Sequence, residues 1–438
     1  MRMDKGQDTY MRIEDRKIMD LRLAKKLSRQ ALADAMFVSV DKVNEVESGN
    51  AKYTDEQMRF AKGFFNIVDM PLTEFECAAC KERLCLMRDY TRERRLKEAR
   101  DICEDMADLV NLESCDDELP LLYRSFEVIL LFAERDIDTA EKRLDYLRGC
   151  LDYMSEEHRF FYYINMGVLN ITRELYEDGL KFCKQALKIY ESHTGFLPEE
   201  SERLHYSIAS CYSSLAFPHR TIFHLLKVRG SYIARRTNNI GFSVDITLAL
   251  NYIKINALDE ANKLLENCIM KSKSTKDDFS YGWAVQGLAR LHMKTQNWVY
   301  AIEHLDQALN YFEKGTRPYL STLYRKIRCL ADNKKFADAR RLLEETRLLS
   351  SEDEIYSTAF EALSHYITIK KRITSYNNQS AEYLETVILP IWEKDHDYFE
   401  AIDYYKLLED YYEDKNAKKS SLMSKSIRRI YERCLFHH

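Results

Sequence analysis

The sequence predicts an all-α protein in two parts. A five-helix domain (residues 10–76) precedes a right-handed superhelix of about nine stacked helix pairs (residues 77–438). Three observations predict this fold. The chain has only 12 Gly and 6 Pro among 438 residues, which is typical of helix nearly throughout. Residues 28–49 have the spacing of two short helices joined by a tight turn. From residue 99 onward, a small side chain recurs about every 40 residues.

The N-terminal segment predicts a helix-turn-helix. Ser28 and Ser39 are suitable N-caps, because a serine hydroxyl accepts a hydrogen bond from a first-turn amide. Leu32 and Val43 lie on the apolar faces of the two helices, and Gly49 is a suitable stop after the second. A short second helix that stands off the first has the geometry that enters a DNA major groove.

This segment resembles the five-helix DNA-binding domain of the Xre/Cro repressor family. The matching positions are Leu27, Ser28, Leu32, Ala33, Val38, Ser39, Val43, Glu47 and Gly49. A following helix is expected at 54–65, and Asp69–Glu74 resembles the entry to the fifth. Arg29 stands where the family usually has a phosphate-binding glutamine, and Phe37 replaces the turn glycine, so we expect a different turn there. The resemblance implies a DNA-binding set of Ser28, Arg29, Ser39, Val40, Asp41, Lys42, Asn44 and Glu45.

Charge does not by itself indicate a nucleic-acid partner. The net charge is −5, and residues 10–76 hold 11 Lys and Arg against 12 Asp and Glu, hence −1. Val40 could contact a thymine methyl, and Asp41 or Glu45 could accept from cytosine, but acidic side chains near phosphates are unfavourable. A helical bundle used only for protein contacts therefore stays an alternative to double-stranded DNA binding.

The rest of the chain repeats. Phe279–Gly315 contains two amphipathic helices joined by a short turn, and it resembles a tetratricopeptide repeat. The residues that open the second helix of each unit align at intervals of 38 to 42, and a ninth pair follows from residue 397. The aligned residues are Ala99, Ala140, Gly179, Thr221, Ala261, Ala301, Ala339 and Ala381. Such pairs cannot bury their apolar faces alone, so they stack, and the first helix of each pair lines a concave groove.

The groove is the expected peptide-binding site. Arg290 and Arg328 lie 38 residues apart in the same register, so stacking brings two guanidinium groups together. An anion between them, such as a peptide carboxylate, would relieve their repulsion, although each could instead pair with a neighbouring acid. Asn165 and Asn251 could bind an extended peptide backbone, but they lie one step off this register. The candidate set is Tyr206, Ser210, Ser243, Asn251, Gln286, Arg290, Tyr324, Arg328 and Asn165.

Several other classes of protein are not indicated. No run of about 18 uncharged apolar residues exists, and the N-terminus lacks the apolar core of a secretion signal, so we expect a cytoplasmic protein with no membrane partner. The 11 Cys are expected to be reduced thiols. Cys77 and Cys80 form a CxxC, but no fourth ligand follows at zinc spacing. A glycine-rich phosphate loop and HExxH are absent from the sequence. We therefore predict no enzyme, metal or cofactor.

The order of the two parts resembles the RRNPP family of peptide-sensing regulators, which includes NprR-, PlcR- and Rap-like proteins. The resemblance implies a quorum-sensing transcription regulator that binds DNA through its N-terminal domain. A short signalling oligopeptide would bind in the groove and alter the conformation of a homodimer formed through the repeats. Two alternatives stay open. A Rap-like chain would bind or dephosphorylate a response regulator, although no residue here maps to the catalytic role, and a scaffold would use the repeats for protein contacts alone.

Overall fold

A computed structural model describes residues 13–65, 74–109, 118–193, 195–196, 198–235, 239–347, 349, 353–371 and 377–436. These residues form α-helices with a few short 3₁₀ and π segments and no strand, which confirms the predicted all-α class. The chain divides into two compact units, the N-terminal unit (residues 1–130) and the C-terminal unit (residues 131–438).

The N-terminal unit begins with four short helices. They are α1 (Ile13–Ala24), α2 (Arg29–Ala35), α3 (Val40–Glu47) and α4 (Asp55–Phe65). The predicted caps are present, since Ser28 Oγ accepts from Ala31 N at 3.1 Å and Ser39 Oγ from Lys42 N at 3.2 Å. Leu32 and Val43 are fully buried in a core shared by all four helices.

The turn between α2 and α3 differs from the expectation. Phe37 adopts φ +55°, the left-handed conformation that glycine favours, so the bulky residue has not given the turn a different backbone form. Its ring is 81% exposed and lies edge-on to Phe60, with the ring centroids 5.3 Å apart. The side chain leaves the turn towards solvent, and this direction lets a large residue occupy the position.

The fifth helix, α5 (Glu74–Arg92), begins where the sequence places its entry. Residues 10–12 and 66–73, which include most of the expected entry from Asp69, lie outside the described residues. The expected domain boundary between residues 76 and 77 falls within α5. Because α5 packs against the helix that follows it, it also forms the first member of a helix pair.

From α5 onward the described helices have the order of nine successive pairs, the number that the sequence predicts. The pairs are α5 with α6 (Leu96–Leu109), α7 (Glu118–Glu134) with α8 (Ile137–Gly149), α9 (Glu156–Thr172) with α10 (Tyr176–Ser192), α11 (Pro198–Ser214) with α12 (Pro218–Arg235), α13 (Asn239–Lys254) with α14 (Leu258–Thr275), α15 (Asp278–Lys294) with α16 (Trp298–Leu309), α17 (Arg317–Asp332) with α18 (Phe336–Arg347), α19 (Glu354–Lys370) with α20 (Asn377–Tyr383) and α21 (Leu389–Lys394), and α22 (Tyr398–Tyr412) with α23 (Ala417–Tyr431). A π-helical segment, Leu384–Ile388, joins α20 to α21, and another follows α23.

The small residues that align the repeats are all buried near the start of a second helix, as predicted. In the first seven pairs, the residue five positions earlier has positive φ. These turn residues are Arg94, Arg135, Glu174, Ala216, Asn256, Gln296 and Lys334. None is glycine, so one turn geometry is kept seven times although L-residues adopt it at some energetic cost. The regular feature of the sequence is therefore the small residue that lets the second helix of a pair approach its neighbours closely. The residue type in the turn varies from pair to pair.

Candidate functional site: a recognition helix and the inner wall of the repeats

The candidate DNA-reading helix is α3. Asp41 and Glu45 are exposed on it, while Val40, Lys42 and Asn44 are half-buried. Val43 and Val46 face the core and fix the orientation of the helix. The residues that the resemblance implies for base contact therefore share the accessible side of α3, and two of them carry negative charge.

A buried ion pair holds this helix to the rest of the domain. The Glu47 carboxylate accepts from Arg22 Nε at 2.6 Å and Arg22 Nη2 at 2.8 Å, and Arg22 also donates to the Leu27 carbonyl at 2.8 Å. Arg29 Nε donates to the same carboxylate at 2.6 Å. Desolvation raises the pKa of Glu47, but the hydrogen bonds from Arg22 and Arg29 outweigh it, so the pKa is lowered overall.

Arg29 can still serve the phosphate-binding role that the resemblance implies. Its side chain is 52% exposed and uses only its Nε in the bond to Glu47, which leaves the outer guanidinium N–H groups directed to the surface. Ser28 and Ser39 act as caps, with their hydroxyls satisfied by backbone amides. Phosphate binding by Arg29 and base contact by α3 stay predictions.

In the C-terminal unit, first helices of neighbouring pairs contact one another, as in α13 with α15 and α17 with α19. We call the surface formed by these first helices the inner wall. Some predicted site residues hold the inner wall together. Gln286 Nε2 donates to Thr322 Oγ1 at 2.7 Å and Ser321 Oγ at 3.2 Å, which joins α15 to α17. Its amide is 1% exposed and is used between helices.

The two predicted asparagines are also buried between repeats. Asn165 accepts from Arg203 of the next first helix. Asn251 Nδ2 donates to the Thr247 carbonyl at 2.8 Å and reaches Ser213 Oγ at 3.5 Å. The Asn251 side-chain oxygen has no hydrogen-bond partner within the described part of the chain. Peptide-backbone binding by these asparagines, which lie one step off the groove register, stays a prediction.

Three predicted residues lie together on α11 and α13. Tyr206 and Ser243 are exposed, and Ser210 is half-buried one turn after Tyr206. Burial raises the pKa of Tyr206, and a hydrogen bond with Ser243 acts in the opposite direction. The structure thus brings Tyr206 and Ser243 into contact across neighbouring pairs, which joins α11 to α13.

Tyr324 and Arg328 of α17 meet the acidic start of α22, an arrangement that the sequence did not predict. Arg328 Nη1 lies 2.7 Å from Glu400 Oε2, and Arg328 Nη2 binds Asp403. Tyr324 Oη lies 3.3 Å from Glu400 Oε2 and 3.1 Å from Tyr404 Oη. The anion expected beside Arg328 is therefore supplied by the chain itself. Arg328 pairs with neighbouring acids, which is the alternative given in the sequence analysis to an anion bound between two arginines.

Arg290 is in a different situation. It is half-buried on α15, and within the described ranges it forms no ion pair or hydrogen bond. Burial lowers its pKa to about 10, and Arg325, rather than Arg328, is the neighbouring cation that contributes to the shift. The expectation of paired Arg290 and Arg328 groups is corrected accordingly, because α22 neutralises Arg328.

Contacts across several repeats show that the C-terminal unit curves back on itself. Lys254, at the end of α13, lies over the Phe399 ring of α22 at 5.2 Å from its centroid. Arg317, at the start of α17, binds Glu174 in the turn before α10 at 3.1 Å. Such contacts place the inner wall of α13, α15 and α17 opposite the N-terminal end of α22.

Sequence reasoning missed Lys254, Arg325 and the acids of α22. Lys254 and Arg325 do not share the register of Arg290, and α22 reaches them only because the array curves.

The residues that the structure describes contain no cluster of three or more His, Cys, Asp or Glu side chains that could bind a metal ion. None of the described helices is long and apolar enough to cross a membrane.

Comparison with known proteins finds one relative by sequence and several by fold. No protein-family model matches the sequence. The transcriptional activator NprA of Geobacillus stearothermophilus is 24% identical over 312 residues, which cover 70% of this chain and 76% of that protein.

Solved structures share the fold. The apo form of the quorum sensor NprR from B. thuringiensis has a TM-score of 0.64 at 16% identity, over 81% of this chain and 98% of that one. A Rap protein complexed with competence and sporulation factor has a TM-score of 0.66 at 12% identity, over 82% and 99%. The tetratricopeptide-like repeat fold predicted for this chain is thus shared with solved NprR and Rap structures.

Proposed function

We propose that this chain is a peptide-responsive transcription regulator, whose α3 reads DNA and whose inner wall binds a short signalling oligopeptide. The observation that carries the proposal is the combination, in one chain, of a capped recognition helix with a polar inner wall. The 24% identity to a transcriptional activator and the quorum-sensor fold support it. Further support comes from a solved relative, NprR, in complex with its cognate peptide NprX.

Peptide would act by selecting one arrangement of the repeats. Because a ligand shifts a conformational equilibrium only through its different affinities for the two states, the inner wall must differ between them. The contacts from α22 to α13 and α17 bridge distant repeats, so they would change if the curvature changed. In a homodimer formed through the C-terminal unit, altered curvature would change the distance between the two DNA-reading helices. The dimer would then bind half-sites of a different spacing.

DNA binding is testable with the full-length protein. Genomic fragments retained by the protein are sequenced, and the affinity of a retained fragment is measured by fluorescence anisotropy at several salt concentrations. We expect affinity to fall as salt rises, since phosphate contacts release counterions. Arg29→Ala and Lys42→Ala should weaken binding to all fragments by the same factor. Arg341→Ala, an exposed change in α18, should leave the affinity for DNA unchanged. Retention that is independent of salt and of both substitutions would contradict the proposal.

A second candidate is a Rap-like protein that binds a response regulator or removes its phosphoryl group. The observation that favours it is the exposure of two acids, Asp41 and Glu45, on the helix that would face DNA phosphates. The test is the lifetime of phosphorylated response regulators from the same cell with and without the protein. A shortened lifetime, together with no fragment retention, would favour this candidate over the DNA-binding regulator.

A further inference from the structure

The ion pairs around the inner wall leave an excess of positive charge. Arg328 is matched by Glu400 and Asp403, and Lys370 Nζ lies 3.2 Å from Asp332. These pairs use the acids that face α17 and α19. Arg290, Arg325 and Lys254 take part in none of them.

The three remaining cations lie on successive first helices. Lys254 ends α13, Arg290 is on α15 and Arg325 is on α17. All three are half-buried, and over the described ranges no carboxylate forms an ion pair with any of them. Arg325 is held in place by its own helix, because Nη1 donates to the Ser321 carbonyl at 2.9 Å and to Ser321 Oγ at 3.1 Å.

The three first helices that carry these groups contact one another, α13 with α15 directly and α15 with α17 through the hydrogen bond from Gln286 to Thr322. Burial lowers the pKa of Lys254 to about 8, with a further contribution from Arg290. Burial likewise lowers the pKa of Arg290, with a further contribution from Arg325. Lys254 and Arg290 are therefore each disfavoured by desolvation and then by the next cation along the wall, while Asp397 acts on both in the opposite direction.

One acid, Asp397, lies near these cations without pairing with them. It directly precedes α22 and forms no ion pair within the described residues. Desolvation and Glu400 raise the pKa of Asp397 to about 6, against the opposing effect of Lys254 and Arg325. Counted with the ion pairs above, the five cations of this region face four carboxylates, those of Glu400, Asp403, Asp332 and Asp397, so the region is about one negative charge short.

We propose that Lys254, Arg290 and Arg325 form an anion subsite that takes a carboxylate of an acidic oligopeptide. This inference rests on the proposed peptide-binding function and names the chemical class of the ligand. A carboxylate between Arg290 and Arg325 would accept from two guanidinium forks, and Lys254 would add a third charge. Binding would replace repulsion between cations with charge-assisted hydrogen bonds in a partly desolvated groove. Asp397 would oppose it, so acidic peptides must displace this side chain.

The test is affinity selection of synthetic random heptapeptides on the full-length protein, with bound peptides sequenced by mass spectrometry. One library carries a free C-terminal carboxylate and another a C-terminal amide. Enrichment of Asp or Glu in both libraries assigns the subsite to a side-chain carboxylate. Selection from the free-acid library alone assigns it to the peptide C-terminus. Either result supports the subsite.

Variants separate a binding role from a structural one. Arg290→Gln should weaken a selected peptide about tenfold or more, the loss expected for a charge-assisted bidentate contact. Lys294→Gln, an exposed change one turn further along α15, is the matched control and should leave affinity unchanged. Asp397→Asn should strengthen binding, because it removes the opposing charge. Without ligand, Arg290→Gln should raise the unfolding temperature, since it removes an unpaired cation, whereas loss of a structural residue would lower it.

The outcomes distinguish this inference from the proposed function. Selection of peptides without acidic preference, with affinity unaffected by Arg290→Gln, would overturn the subsite and leave peptide binding standing. Recovery of no peptide from either library would overturn both. Acidic selection that is lost in Arg290→Gln and kept in Lys294→Gln would support both.

Discussion

Two arginine-rich places in this protein have opposite electrostatic states. In the N-terminal unit, Arg22 and Arg29 converge on one buried carboxylate, Glu47, and every charge has a partner. On the inner wall, Arg290 and Arg325 converge with Lys254 and the nearby acid stays unpaired. The first arrangement fixes the orientation of a helix, and the second leaves charge that an external anion can neutralise. Residue type alone does not distinguish a structural cation from a binding one, whereas the presence or absence of an ion pair does.

The largest expected effect tests the paired side of this contrast. Glu47→Gln would leave the Arg22 guanidinium buried and unpaired, so we expect the N-terminal unit to lose about 3–5 kcal/mol of stability. Glu45→Gln, an exposed change on the same helix, should alter stability by no more than about 0.5 kcal/mol. Hydrogen exchange of α2 and α3 amides measures both. Equal protection in the two variants would show that the buried pair does not hold α3.

The next effect compares two arginines of the inner wall. Arg328→Gln would strand Glu400 and Asp403, so we expect it to destabilise the C-terminal unit by about 2 kcal/mol. Arg290→Gln, which strands no acid, should not destabilise it at all. Urea unfolding followed by tryptophan fluorescence suits this comparison, because Trp283, Trp298 and Trp392 all lie in the C-terminal unit. Equal destabilisation by both substitutions would remove the distinction between paired and unpaired cations.

As pH falls, the C-terminal unit should lose stability before the N-terminal unit does. His205 and His224 of the C-terminal unit are joined Nδ1 to Nδ1 at 2.9 Å, and burial lowers the pKa of each to about 4. Between pH 6.5 and pH 4 the unfolded chain therefore binds protons that the folded chain excludes, so stability falls as pH falls, on the order of 2 kcal/mol for each histidine between pH 7 and pH 5. The lowered pKa of Glu47 makes its contribution to the N-terminal unit disappear only below about pH 4.5.

Urea midpoints from tryptophan fluorescence at pH 7, 6 and 5 measure this dependence for the C-terminal unit, while amide exchange follows α2 and α3. A double His205→Gln, His224→Gln variant should show a flatter dependence on pH than the natural chain. Loss of α3 protection before any shift in the fluorescence midpoint would contradict the assigned order.

The smallest effect concerns the repeated turn. Lys334 is exposed and has φ +61°, so Lys334→Gly should stabilise the C-terminal unit by up to about 1 kcal/mol by relieving an unfavourable backbone conformation. Lys334→Ala keeps the Cβ and serves as the control. A glycine variant that is less stable than the alanine variant would show that glycine entropy in the unfolded chain outweighs the relief.

The features that sequence predicted well are local. The serine caps, the apolar faces of α2 and α3, and the buried small residue of each pair depend on spacing within about 40 residues, and all are present in the structure. Contacts that form because the repeat array curves could not be predicted from the sequence. Arg328 meets Glu400 across 72 residues, and Lys254 meets Phe399 across a larger separation, so register within a repeat could not reveal either contact.

Sequence reasoning also placed Gln286 in the groove by register, although its amide is turned between helices to bind Thr322. Side-chain direction at a helix surface depends on which neighbour offers a partner, and the Thr322 hydroxyl lies on the adjacent first helix. Arg290 was selected by its register and does remain unpaired, but the cation beside it is Arg325, which lies outside that register.

The most direct test of a peptide-responsive DNA reader is linkage between its two sites. The affinity of full-length protein for a retained genomic fragment is measured with and without a saturating heptapeptide from the free-acid selection. We expect the peptide to change the dissociation constant for DNA by about fivefold or more in the natural chain, within the usual range of coupling between sites, and the peptide concentration needed for this change to rise about tenfold in Arg290→Gln. The same DNA affinity with and without bound peptide in the natural chain would contradict the account.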